Sequence, residues 1–87
     1  MRFSWDEGKR KAVLAKHGID FVDVLPMFGG RLLIIPSHRE EPRWLAIGMV
    51  GGLEYAVVFT RRGDELRLIS ARRAKRNERR DYHAHEP

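Results

Sequence analysis

Apolar and polar positions follow two different periods along this chain, and the switch falls near Arg31. Upstream of it the spacing is helical. Ser4 is followed three residues later by Glu7, a pattern in which hydroxyl and carboxylate satisfy otherwise orphaned backbone donors, so a first helix is predicted from Trp5 to His17. Gly18 supplies the left-handed residue that ends many helices, and Asp20 is placed to cap a shorter second helix carrying Phe21, Val22, Val24 and Leu25. Pro26 removes a backbone donor inside that segment, which predicts a short or kinked helix ending near Phe28 and Gly29.

Beyond Arg31 the period becomes extended. Arg31 to Pro36, Arg43 to Val50, Glu54 to Arg61 and Glu65 to Ser70 read as four strands. Gly51-Gly52 is a tight hairpin signal and Arg62-Gly63-Asp64 a second turn. These connections are too short for parallel crossovers, so an antiparallel meander is predicted. Strand alternation places Tyr55, Val57 and Phe59 on one face of the third strand. In the fourth it opposes Leu66, Leu68 and Ser70 to Arg67, Ile69 and Ala71. Arg67 then projects from mid-strand and either pairs with Glu54 across the hairpin or reaches into a cleft. Ser70 is a candidate cap for a last helix from Ala71 to about Tyr82, whose inward stripe of Ala71, Ala74, Glu78 and Tyr82 is thin. The expected fold class is therefore α+β: two N-terminal helices, a four-stranded antiparallel sheet and a C-terminal helix, with 83–87 as a tail.

Length limits this to one domain over 1–87. Charge then changes the picture more than composition does. Seventeen Lys and Arg against twelve Asp and Glu leave a net +5, and Arg72, Arg73, Lys75, Arg76, Arg79 and Arg80 cluster near the C-terminus, so a polyanionic partner is the first expectation. No apolar run approaches the roughly 20 residues of a membrane span, and zero Cys suits a reducing compartment; no membrane contact and a cytoplasmic location are expected. His17 ends the first helix, where the negative pole of the helix dipole favours imidazolium, making it a candidate general acid or base and equally a simple cap. His38 and Glu40-Glu41 lie on the charged loop SHREEP. His83 and His85 are two ligands without a third, so no metal site and no cofactor are expected.

Three stretches, SWDEGKRKAVLAKHGIDF, RWLAIG and VVFTRRGDELRLISARRAKRNERRDY, closely resemble the BrnT family, the toxin half of a bacterial toxin–antitoxin pair. The KHG-I-x-F, AIG, RGD-x-L-R-L-I-S-A-R-R-A and ER-x-x-Y elements carry the likeness over nearly the whole chain. The chain departs from the family pattern at Pro26, at the short SHREEP loop, and at Gly51-Gly52 with Glu54. The resemblance implies a RelE-like fold and a ribonuclease toxin. It also implies a BrnA-like DNA-binding antitoxin, held with the toxin in a hetero-oligomeric complex. RNA can be cut without a metal when a base takes the 2′-hydroxyl proton, cations stabilise the phosphorane and an acid protonates the leaving oxygen. His17, Glu41, Arg62, Arg67 and Arg72 are the residue types this needs. Lys16, Arg73, Arg76, Arg79 and Arg80 are expected to bind RNA or antitoxin. A non-catalytic nucleic-acid-binding module is the alternative, and a protein–protein adaptor a further one.

Overall fold

The computed structural model describes residues 1–37 and 42–85. Its elements are β1 (Arg2–Trp5), α1 (Glu7–His17), α2 (Phe21–Val24), a 3-10 turn (Leu25–Gly29), β2 (Leu33–Ser37), β3 (Arg43–Val50), β4 (Leu53–Arg62), β5 (Glu65–Arg73) and α3 (Arg76–Ala84). The strands form one sheet in the order β1-β5-β4-β3-β2. The expected antiparallel meander is present from β2 to β5, and the fold class is α+β. The sheet is nevertheless five-stranded and mixed, because β1 lies parallel to β5 with Ser4 beside Arg67 and Trp5 beside Leu68. Short loops exclude parallel pairing only between neighbours in sequence; β1 reaches β5 through all the intervening chain.

Phe3 and Trp5 pack on the helix-bearing side of the sheet, and their alternation with Arg2 and Ser4 is a period of two over four residues, too brief to register as a pattern. With Ser4 drawn into the sheet, Asp6 caps α1 instead, its carboxylate accepting from the Lys9 N–H at 2.9 Å. Gly18 ends α1 at φ 69° and Asp20 caps α2, as expected. Pro26 falls where the helix tightens into the 3-10 turn.

One face of the sheet carries the larger core, with Phe21, Val24 and Met27 against Val57, Phe59, Leu66, Leu68 and Ala71. Gly48 of the AIG element lies under this layer, and a Cβ there would come within 2.8 Å of Leu32 Cδ2 and 3.1 Å of Met27 Cβ. The glycine is a packing requirement. On the opposite face α3 covers only one end, where Ala74 and Tyr82 bury against Ile47 and Ala56.

The last helix begins later than expected. Ala71 to Arg73 continue β5 opposite Tyr55 to Val57, so Ser70 is a strand residue, and Glu78 closes the start of α3 by accepting from the Lys75 N–H at 2.7 Å. The inward residues Ala74, Glu78 and Tyr82 are buried, and polar anchors supplement the small apolar area. Tyr82 Oη donates to the Arg31 carbonyl at 3.0 Å while the Arg31 guanidinium sits 3.8 Å over its ring. Arg72 grips Glu78 through two N–H donors at 2.7 and 2.9 Å. His83, expected in the tail, belongs to α3 and lies 2.6 Å from Glu54 Oε2.

The Arg72 guanidinium holds the Glu78 carboxyl below its ordinary value of 4.5. The folded state thus favours the charged form: the resulting stability is complete above 4.5 and is lost as pH falls through the lowered folded value. Glu78→Gln should cost about 1–3 kcal/mol at neutral pH, since Arg72 and the start of α3 lose a charged partner. Melting temperatures followed into acid should show a shallower decline for that variant than for the native chain.

A basic sheet face as the candidate active site

The register of β5 decides which side chains share the open face. Opposite β4, Ser70 pairs with Val58 but Leu68 with Phe59, so the strand carries one extra residue, Ile69, at a bulge. Without it Arg67 and Arg72, five positions apart, would lie on opposite faces. With it, Ser70 and Arg72 join Arg67 on one face, while Ala71 turns into the helix-side core. The strict alternation expected along this strand therefore fails beyond Leu68. Across the sheet Arg67 stands opposite Thr60, Arg72 opposite Ala56 and Arg62 opposite Glu65, which brings the three predicted arginines together on one face.

Arg67 does not pair with Glu54. Its Nη1 donates to Ser4 Oγ at 3.3 Å, and that hydroxyl donates to Glu65 Oε2 at 2.8 Å. Arg2 reaches the other Glu65 oxygen at 3.6 Å. A cation, hydroxyl, carboxylate and second cation thus form a line across β1 and β5. Thr60, buried beside Arg67, donates to the Pro42 carbonyl at 2.8 Å and ties the entry of β3 to this face. Ser4, Glu65 and Thr60 are absent from the sequence-based set; the pairing of Arg62 with Glu65 around the Arg62-Gly63-Asp64 turn is the one signal that could have found Glu65.

The remaining candidates scatter. His17 and Lys16 are exposed on α1, whose Val13 packs into the helix-side core, so the sheet separates them from Arg67. Glu41, like His38, lies outside the described residues. Arg72 is engaged by Glu78, which leaves Arg67 and the exposed Arg62 as the more available cations. Arg73 is a strand residue, not a helical one, and donates to the Glu54 carbonyl at 3.0 Å. Glu54 is held below its ordinary value chiefly by His83. On α3, Arg76 and Arg80 are exposed and Arg79 donates to the Ala74 carbonyl at 2.6 Å. The basic cluster expected on one helix is therefore divided between a strand, with Arg72 and Arg73, and a helix, with Arg76, Arg79 and Arg80. Among the described residues no group of three or more His, Asp or Glu could hold a metal.

Residues 5–78 match the family model described as the ribonuclease toxin, BrnT, of type II toxin–antitoxin systems. The chain belongs to the BrnT family. A crystal structure of the Brucella abortus ribonuclease toxin BrnT is 37% identical, with a TM-score of 0.74 over 87% of this chain and 99% of that one. Among curated proteins none matches the sequence. Membership makes this chain a ribonuclease toxin, with RNA as target and an antitoxin as partner, and it sets aside the non-catalytic binding module.

Because the bulge decides which face Arg72 occupies, deleting Ile69 should send Arg72 away from Glu78 at a cost above about 3 kcal/mol. Ile69→Val keeps the extra residue and should cost less than about 1.5 kcal/mol. Thermal melts with amide exchange in α3 separate the two outcomes.

Proposed function

We propose that this RelE-like BrnT toxin cuts RNA on the open basic face by metal-independent attack of the neighbouring 2′-hydroxyl on phosphorus. The observation that carries the reading is the convergence of Arg62, Arg67 and Arg72 on one face of the sheet. Arg67 is the principal cation at the phosphate: it is half-buried, where charge acts more strongly than in bulk water, and Ser4 holds it in place. Arg62 supports from the rim, and Arg72 from the end covered by α3. Proton transfer falls to Glu65, joined to Arg67 through Ser4, with Glu41 as the second carboxylate to test. His17 stands across the sheet, and its position lends no support to a role as general acid or base. An RNA substrate supports a cytoplasmic site of action. Among the described residues no helix is long and apolar enough to cross a membrane.

Purified protein should cleave single-stranded RNA in excess EDTA and leave 2′,3′-cyclic phosphate or 3′-phosphate ends. Free 3′-hydroxyl ends, or activity lost on chelation and restored by a divalent ion, would refute the mechanism. Arg67→Ala should lower the rate about 100-fold or more while remaining folded. His17→Ala should retain near-native activity. A large loss from His17→Ala would return that residue to the mechanism.

The partner is proposed to be a BrnA-like, DNA-binding antitoxin that forms a hetero-oligomer with the toxin and covers the basic face. Long-range attraction from Arg73, Arg76, Arg79, Arg80 and Lys16 then speeds encounter. Arg76 and Arg80 are the clean probes because both are exposed, whereas Arg79 also caps a carbonyl of its own chain. Reversing both charges should slow association several-fold at low salt and leave the dissociation rate nearly unchanged, as read from binding kinetics across ionic strength.

A further inference from the structure

β2 is one edge of the sheet, and its two isoleucines are unusually open: Ile34 is 48% exposed and Ile35 38%. Natural sheets defend such edges with charge. The opposite edge follows that rule through the exposed Arg2, while LIIPS contains no charged residue. Pro36 has no N–H to give β3, so its nitrogen faces outward, and Ile34, two residues earlier, directs its own N–H and C=O the same way. Among the described residues the edge therefore offers a short, uncharged pairing site centred on Ile34, limited on one side by Pro36.

Directly beside it, on the helix-bearing face, lies a cavity of about 240 Å³ lined by Phe28, Ile34, Trp44, Phe59, Leu66 and Arg61. Its walls are aromatic and aliphatic except for Arg61, an exposed cation. Arg61 and Arg62 alternate on β4, so Arg61 serves this face while Arg62 serves the basic one. An apolar cavity continuous with a bare strand edge fits an extended peptide that adds a strand and inserts a side chain. Among the described lining side chains, Arg61 is the one cation a phosphate backbone would meet.

We propose that this edge and cavity anchor the antitoxin: an extended segment pairs with β2 at Ile34, places a large apolar side chain in the cavity and sets a carboxylate on Arg61. This rests on the reading that an antitoxin covers the toxin, and it locates the durable part of that contact away from the basic face. Charge selects the occupant. A second copy of this chain, itself at +5, would bring another Arg61 to the same patch, whereas an acidic segment relieves that repulsion. The two surfaces then act on different rate constants, the basic face on association and the anchor on dissociation.

The test uses the full-length toxin and the purified antitoxin encoded beside it. Ile34→Lys and Arg61→Ala, with Ile34→Ser as a gentler variant, should each cleave RNA at native rates. Each should also release the antitoxin about tenfold faster or more, with association nearly unchanged and rescue of growth weakened. Unchanged dissociation in folded, active variants overturns the anchor. Failure of the native toxin to bind the antitoxin at all overturns the partner reading beneath it. Self-association of the native toxin that Ile34→Lys abolishes would assign the edge to a second copy and overturn the proposal.

Discussion

The bulge at Ile69 is the constraint on which the rest of the molecule depends. A strand has two faces and a period of two, so residues an odd number apart cannot share a face unless one residue is taken out of register. Here Leu66 and Leu68 must face the helices, and so must Ala71, fully buried beneath them. The extra residue reconciles those demands, and the same shift releases Arg72 to the other side, where it meets Glu78 and holds α3. Core packing, helix docking and the gathering of arginines are thus three consequences of one local irregularity.

Dividing the sheet in this way separates two kinds of chemistry. The helix-bearing face takes the larger of the two apolar clusters, including the Phe3, Phe28, Phe59 and Trp44 rings in sequential contact. The other face is closed at one end by α3 and keeps its polar groups accessible at the other. Cations placed on a rigid, half-dry surface need little reorganisation when a phosphate arrives, which is what makes them effective at developing negative charge. β1 matters for the same reason: its Ser4 converts Arg67 from a flexible side chain into a held one.

The toxin's two needs, acting on RNA and being silenced, draw on different physics. Charge is long-ranged, screened by salt and suited to fast encounter with any polyanion. Apolar contact and strand pairing act only at touching distance and so govern how long a partner stays. A protein that must bind RNA briefly and an inhibitor persistently can use both without one weakening the other, provided they lie on different surfaces. The alternation of Arg61 and Arg62 on β4 places one cation on each face of the sheet.

Much of the architecture was legible along the chain because it depends on local rules. The glycine-terminated end of α1, the Asp20 cap of α2, the break at Pro26, the strands β2 to β5 and the Gly51-Gly52 hairpin, with φ of 58° and 81°, all follow from neighbours within a few residues. So does the basic character of the molecule, which composition alone determines. The family motifs were legible too, and the structure supplies a reason for one of them, since Gly48 has no room for a side chain. What only the tertiary structure decided are the relations between distant segments: Ser4 beside Arg67, Arg31 over the Tyr82 ring, and His17 across the sheet from the arginines it was expected to join. β1 is too short to announce itself, and a bulge leaves no periodic trace because it is the breaking of a period. Both exist because burying Phe3, Trp5 and Ala71 against the helices is favourable, a sum over the whole core that no local window of sequence contains.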